Sequence, residues 1–90
     1  MIIRYFADVR DLTGCKEEPW TKAAANLREL LKELVAKHGT AFEKRVFEGC
    51  DLSSTIIIFI NGRDVTHLKG IDSPLKSEDV VAIFPMVAGG

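Results

Sequence analysis

The chain has 90 residues, with 12 basic and 13 acidic side chains and a formal net charge of -1 at pH 7. Hydrophobic residues make up 47% and charged residues 28%, a composition that is typical of one small globular domain and excludes an intrinsically disordered chain. The near-neutral balance and the absence of a basic run argue against a nucleic acid or an anionic membrane as main partner. The apolar run Ile56 to Ile60 is far too short to cross a bilayer.

The start of the chain lacks the charged segment, apolar stretch and small-residue cleavage site of a signal peptide, so we expect a cytoplasmic protein. Cys15 and Cys50 match no zinc, redox or iron–sulfur spacing and are expected to be free thiols. No metal site is expected, because His67 has no second histidine or cysteine close in the sequence.

The first elements in chain order are two predicted strands. Ile2 to Ala7 reads as a strand, a turn follows at Thr13-Gly14, and a second strand is predicted around Trp20. Trp20 is expected in the core or on a face of the sheet. The acidic pairs Glu17-Glu18 and Glu78-Asp79 are expected on the solvated surface.

The clearest element is a helix that begins after Asn26. Asn26 is a suitable N-cap, Glu29 stands three residues later as in a capping box, and Gly39 ends the helix. His38, at the end of this helix, is expected to cap it or to interact with its dipole rather than to catalyse. The helix carries one apolar stripe and should therefore lie on a sheet; the stripe consists of Leu27, Leu30, Leu31, Leu34 and Val35.

The middle of the chain predicts a hairpin. A short second helix is expected within Thr40 to Ser54. The β-branched run Thr55 to Ile60 is the strongest strand prediction, and because it is continuous we expect it to be buried on both faces. Asn61-Gly62 is a strong hairpin signal, and Arg63 to His67 is expected to return as an edge strand.

The final predicted strand, Val80 to Phe84, completes the fold. The order of elements predicts an α+β fold of the β-grasp type, with a mixed sheet of four to five strands and one main helix packed across it. The N-terminal and C-terminal strands are expected side by side at its centre. We expect a single domain over residues 1–84, followed by a flexible tail over residues 85–90 that begins at Pro85.

This tail is apolar and ends in Gly89-Gly90. Glycine has no side chain, so such a segment can enter a narrow channel and present the terminal carboxylate as its reactive group. The carboxylate is ionised at pH 7 and becomes an electrophile only after activation, for example as an anhydride with AMP. A chance Gly-Gly end remains the alternative, since glycine makes up about 7% of residues.

The residues Ile83 to Gly90 resemble the tail of MoaD-type proteins, ubiquitin-like sulfur carriers related to ThiS. Phe6 to Gly14 is similar to the opening strand and turn of that family. Ile60 to Arg63 and the segment around Phe42 and Phe47 resemble its longer MoaD-like branch. The sequence departs from the family at Ser77 to Asp79, where Gly-Asp is usual, and at Met86, where a second proline is common.

The resemblance implies that the carboxylate of Gly90 is adenylated and converted to a thiocarboxylate, which donates sulfur for the dithiolene of molybdopterin or tungstopterin. The implied partners are an adenylyltransferase of the ubiquitin-activating type, which would use ATP and Mg²⁺, and the large subunit of molybdopterin synthase. The chain itself is expected to bind no cofactor. Its expected partner-binding residues are Phe84, Pro85, Met86, Val87, Ala88 and Gly89.

Two alternatives remain open from the sequence. The chain could be a modifier that is joined to lysines through Gly90, or a sulfur carrier for thiazole or amino-acid synthesis. Phe84 is equally compatible with a place in the core and with a place on the docking face beside the tail.

Overall fold

The computed structural model describes residues 1–86, and Val87, Ala88, Gly89 and Gly90 lie outside the described residues. Within residues 1–86, three helices and seven strands follow in the order β1 (Ile2–Tyr5), α1 (Ala7–Thr13), β2 (Glu17–Pro19), α2 (Leu27–His38), α3 (Thr40–Val46), β3 (Phe47–Glu48), β4 (Asp51–Leu52), β5 (Ile56–Ile60), β6 (Arg63–Asp64) and β7 (Val80–Pro85). Two turns of 3₁₀ helix, Val65–His67 and Gly70–Asp72, lie between β6 and β7.

The main sheet has five strands in the order β2-β1-β7-β5-β6. β1 and β7 are parallel and adjacent, and β7 is the central strand, while the other neighbours are antiparallel. This mixed sheet with α2 as its main helix confirms the β-grasp fold expected from the sequence. β3 and β4 form a separate two-stranded hairpin, which the sequence did not predict.

Helix α2 has the predicted bounds and cap. The Asn26 side chain accepts a hydrogen bond from the N–H of Glu29 at 3.0 Å, and the Glu29 carboxylate accepts one from the N–H of Ala25 at 2.9 Å. Leu27, Leu30, Leu31 and Leu34 are fully buried, whereas Val35 lies at the margin of the core. The helix therefore covers one face of the sheet with the predicted stripe.

Helix α1 lies where the sequence predicted only the end of the first strand and a turn at Thr13-Gly14. β1 ends at Tyr5 instead of Ala7, and Thr13-Gly14 is the end of a helix whose C-cap Gly14 has φ 76° and donates its N–H to the carbonyl of Arg10 at 2.8 Å. The helix has only seven residues and one buried side chain, Val9. Because the helix has only two helical turns and a single core residue, its hydrophobic periodicity is too weak to be recognised in the sequence.

Other expectations need correction. β2 ends at Pro19, so that Trp20, which is buried, follows the strand rather than lying in it. The returning strand covers only Arg63–Asp64 before the chain enters a 3₁₀ turn. Glu18 and Asp79 are 6% and 8% exposed, so only one member of each acidic pair is on the surface. Both buried carboxylates accept hydrogen bonds, and these bonds offset the free-energy cost of burying them.

β5 is buried on one face instead of two. Ile56, Ile58 and Ile60 point into the core, and Ile57 and Phe59 alternate with them on the opposite, half-buried face. The expected short helix within Thr40 to Ser54 is confirmed as α3. The continuous apolar run thus belongs to a sheet with an apolar face on each side, of which α2 covers only one.

Candidate functional site

The uncovered face of the sheet carries a group of apolar side chains that we call the outer aromatic face. In the central strands β5 and β7, alternate residues point away from α2, and Ile57 is paired with Phe84 and Phe59 with Ala82. The face consists of Phe6, Ile57, Phe59, Ala82 and Phe84.

Phe84 lies at the centre of this face. Its ring centroid is 5.2 Å from that of Phe59 and 5.7 Å from that of Phe6, and both pairs meet edge to face. Phe6 is 46% exposed, which is unusual for so large an apolar side chain. Of the two positions that the sequence left open for Phe84, the structure shows the outward one.

The backbone at the end of β1 places Phe6 on this face. The N–H of Phe6 donates to the carbonyl of Ile83 at 3.1 Å, which continues the parallel ladder between β1 and β7. Ala7 then adopts φ 52°, a left-handed conformation that is rare for alanine, and turns the chain into α1. The turn leaves the Phe6 ring beside Phe84.

Pro85 explains why the parallel ladder stops at this point. Continuing the register would require the N–H of residue 85 to bond the carbonyl of Phe6. Proline has no N–H, and the carbonyl of Phe6 instead accepts the N–H groups of Val9 at 3.2 Å and Arg10 at 3.4 Å in α1. The chain therefore parts from β1 at Pro85.

On the other side of β7 the pairing extends one residue further. The N–H of Met86 donates to the carbonyl of Thr55 at 2.9 Å, and the Met86 side chain is 54% exposed. Of the expected partner-binding residues, Phe84, Pro85 and Met86 therefore lie together beside the outer aromatic face. Gly90 and the remaining expected residues, Val87, Ala88 and Gly89, lie outside the described residues.

One charged group beside this end of β7, the Arg45 guanidinium, is already paired. Arg45 of α3 donates to the carboxylate of Asp8 at 2.9 Å and to the hydroxyl of Thr55 at 2.7 Å. Within residues 1–86 no group of three or more histidine, cysteine or acidic side chains could hold a metal ion. Among the helices of those residues, none is both long and apolar enough to cross a bilayer. The described part of the site is an apolar, partly exposed surface beside Pro85 and Met86.

A buried polar cluster lies on the opposite, helix-covered side of the sheet. The Glu18 carboxylate of β2 accepts a hydrogen bond from the Tyr5 hydroxyl at 2.6 Å and another from Lys37, and it lies 2.7 Å from Nε2 of His38. His38 lies in the last turn of α2 as expected, but its side chain is only 8% exposed and packs against the rings of Tyr5 and Phe42. The cluster joins β1, β2 and α2.

The electrostatics of this cluster follow from its burial. Burial alone raises the pKa of Glu18, but the hydrogen bonds from Lys37, Tyr5 and His38 outweigh it and hold the pKa below its ordinary value. Burial, followed by the adjacent Glu18 carboxylate, raises the pKa of the Tyr5 hydroxyl far above its ordinary value. This cluster could not be predicted from the sequence, because its first and last members, Tyr5 and His38, are 33 residues apart.

Comparison with known proteins agrees with this geometry. The ThiS family matches residues 3–90. Small archaeal modifier protein 3 of Haloferax volcanii is 33% identical over 89 residues, which cover 98% of this chain and 96% of that protein.

Solved structures show the same fold. The solution structure of small archaeal modifier protein 1 from Methanosarcina acetivorans has a TM-score of 0.85 at 31% identity and covers 99% of this chain and 94% of that chain. A chain of the BexX/CysO complex from Amycolatopsis orientalis has a TM-score of 0.85 at 26% identity and covers 99% and 98% of the two chains. This chain therefore belongs to the ThiS family, a family of ubiquitin-like sulfur carriers and protein modifiers.

Proposed function

We propose that this chain is a sulfur carrier whose terminal carboxylate, at Gly90, is adenylated and converted to a thiocarboxylate. As the small subunit of molybdopterin synthase it would then donate the sulfur to a pterin precursor and so build the dithiolene of molybdopterin or tungstopterin. The observation that carries this proposal is the family match, which runs through residue 90 and thus includes Gly89-Gly90.

The chemistry places the catalysis on the partners. The carboxylate oxygen attacks the α-phosphorus of ATP, pyrophosphate leaves, and an acyl-adenylate forms on Gly90. Hydrosulfide from a sulfide donor then attacks the acyl carbon and displaces AMP, which gives the thiocarboxylate. The Mg²⁺ and ATP belong to the adenylyltransferase, and this chain supplies the carboxylate and the surface that the enzyme holds.

The outer aromatic face supports this division of roles. It lies beside the last described residues before the tail, and it presents edge-to-face aromatic rings, a surface type that is enriched at the centre of protein interfaces. An enzyme that binds this face receives the chain next to Pro85 and Met86, at the end of β7. The face is therefore proposed as the docking surface for the adenylyltransferase and, in turn, for the large subunit of the synthase.

The test is the intact mass of the chain after incubation with the adenylyltransferase, ATP, Mg²⁺ and a sulfide donor. We expect the C-terminal peptide to exchange one oxygen for sulfur. The matched control is the chain with one alanine added after Gly90, which keeps the fold but displaces the carboxylate. Sulfur transfer to the extended chain at the native rate would refute the role of Gly90.

The acceptor is tested in the native host. A strain without this chain should lose its molybdopterin or tungstopterin, and the native sequence, but not a version without Gly90, should restore it. If the strain keeps its pterin cofactor and instead requires thiazole or an amino acid, the carrier serves the synthesis of that compound.

A second candidate function is protein modification, which the names of two similar proteins favour. Here the same acyl-adenylate would lead to an isopeptide bond between Gly90 and a lysine amine of another protein. Immunoblots with an antibody against the chain itself distinguish the two functions. A ladder of high-mass conjugates that disappears when Gly90 is deleted supports modification, and a single band at the mass of the free chain supports a carrier role alone.

A further inference from the structure

A second concave surface lies between the β5–β6 hairpin and the segment that connects β6 to β7. We call it the distal groove. It has a volume of about 570 Å³ and is lined mainly by Ile60, Arg63, Leu68, Lys69, Pro74 and Lys76.

Three cations line this groove, and none of them has an acidic partner. Arg63, Lys69 and Lys76 are exposed, and within residues 1–86 no carboxylate forms an ion pair with them. The carboxylate of Asp79, which also lines the groove, is buried and accepts hydrogen bonds from the Asn61 side chain and the Lys76 N–H, both at 2.8 Å. The groove is therefore positive on a chain whose formal charge is -1.

Three other clefts of the described residues each contain at most two cations that lack an ion pair, whereas the distal groove contains three. In the cleft between α2 and the β3–β4 hairpin, Arg28 is paired with Asp72 at 3.1 Å. In the cleft beside Trp20, Lys37 is paired with Glu18. Cations that are already paired contribute little to binding an external anion, whereas the unpaired cations of the distal groove remain available to one.

The groove is also apolar and preformed. Leu68, which is 37% exposed, lines it together with Ile60 and Pro74. The connecting segment is held by the buried Ser73, whose hydroxyl donates to the carbonyl of Gly70 at 2.7 Å and accepts the N–H of Lys69 at 3.0 Å. A surface that is already ordered loses little conformational entropy when a partner binds.

The groove lies at the opposite end of the sheet from the tail. Ile60 is paired with Val81 at one end of β7, and Ile56 with Pro85 at the other. These two pairs are four residues apart along β7, so about 13 Å separates them at 3.3 to 3.4 Å per residue. A partner in the groove therefore leaves the outer aromatic face and Pro85 accessible.

We propose that the distal groove binds an acidic, extended peptide segment of a partner protein, with an apolar side chain of that segment against Leu68 and Pro74. Three unpaired cations beside an apolar surface are complementary to a segment in which acidic residues flank a leucine or a similar side chain. This binding does not use Gly90. It allows a third protein to hold the chain while an enzyme acts on the tail.

The test is a titration of the full ¹⁵N-labelled chain with a synthetic peptide of alternating acidic residues and leucines. We expect the largest amide shifts at Arg63, Leu68, Lys69 and Lys76. A peptide with asparagine and glutamine in place of the acids should bind at least about tenfold more weakly, and added salt should weaken the acidic peptide. Deletion of Gly90 should leave the affinity unchanged, which separates this result from the outcome for the proposed function.

Two matched triple variants test the role of the three cations. R63E/K69E/K76E should lower the affinity by about tenfold or more. K16E/K22E/K44E changes the net charge equally at exposed positions away from the groove, and it should stay within about twofold of the native chain. L68S tests the apolar part without a charge change and should weaken binding by about threefold.

Several outcomes would overturn the proposal. These are amide shifts confined to the outer aromatic face, equal losses in the two triple variants, and equal binding of the neutral peptide. Tighter binding of a single-stranded RNA oligonucleotide at the same amides would assign the groove to nucleic acid. Self-association that R63E/K69E/K76E abolishes would assign it to a second copy of the chain.

Discussion

The two faces of the main sheet are built from the same strands, but α2 covers only one of them. Ile83 and Phe84 are consecutive residues of β7; Ile83 is fully buried beneath α2, and Phe84 is half-buried on the outer aromatic face. Both are large and apolar, so hydrophobicity alone does not distinguish a core residue from a residue of the outer aromatic face. What distinguishes them is whether the chain itself supplies a cover.

The inner face should carry the larger share of stability. Ile83→Ala removes a side chain with no exposure and leaves a cavity against α2, so the free energy of unfolding should fall by about 3 kcal/mol. Urea denaturation followed by circular dichroism measures this. A loss below about 1 kcal/mol would mean that the core collapses around the site and that the contrast between the two faces is smaller than the burial indicates.

The polar cluster beneath the same face should be nearly as sensitive. Glu18→Ala leaves Tyr5 and His38 without their buried acceptor and should lower the free energy of unfolding by about 2 kcal/mol. Glu18→Gln is the control for side-chain volume and should cost less.

The same cluster predicts a dependence on pH. Because the pKa of Glu18 is lowered in the folded chain, the folded state binds fewer protons than the unfolded state near the ordinary glutamate value of about 4.3. The contribution of Glu18 is complete above that pH and is lost as the pH falls through the lowered value of the folded state. In Glu18→Gln the fall in stability on acidification, measured by melts from neutral to acidic pH, should be shallower than in the native chain. An equal slope would assign the acid sensitivity to other carboxylates.

On the outer aromatic face, we expect a substitution to lower activity more than stability. Phe84→Ala should lower the free energy of unfolding by only about 1 kcal/mol, because the side chain is half-exposed and its contacts are the rings of Phe59 and Phe6. Adenylation by the partner enzyme, measured as pyrophosphate release, should fall by about tenfold or more. If the Phe84→Ala variant is adenylated at the native rate, the outer aromatic face is not the docking surface.

The smallest effect is expected at the turn that places Phe6. Glycine at position 7 relieves the strain of the left-handed conformation, which stabilises the folded chain. It also makes the unfolded chain more flexible, which destabilises the fold by a similar amount. Ala7→Gly should therefore change the free energy of unfolding by less than about 0.5 kcal/mol. Ala7→Val should lower it by about 1 to 2 kcal/mol, because a β-branched residue resists this conformation. Thermal melts of the two variants test whether Ala7 or its neighbours fix the turn.

Much of this architecture could be predicted from local patterns. The capping box and stripe of α2 and the turn at Asn61-Gly62 each depend on residues that are close in the sequence, and both predictions are confirmed. Position 61 has φ 51°, the left-handed conformation that asparagine tolerates in such a turn.

The features that the sequence did not reveal depend on contacts between distant segments. The burial of Glu18 requires donors from β1 and α2, and the distal groove gathers Arg63, Lys69 and Lys76, which form no basic run in the sequence. The one-sided burial of β5 was hidden because both faces of the strand are apolar. Only the presence of α2 on one side of the sheet separates them.

The shared carboxylate of Glu18 also limits which substitutions can accumulate in this sequence. Three side chains from two elements share one acceptor, so replacement of Glu18 leaves Tyr5 and His38 buried without it. Replacing Tyr5, Glu18 and His38 together by apolar residues of similar volume avoids that penalty. Among descendants of this sequence, these positions should therefore be inherited and lost as a set, and a lineage that retains the glutamate alone should be rare.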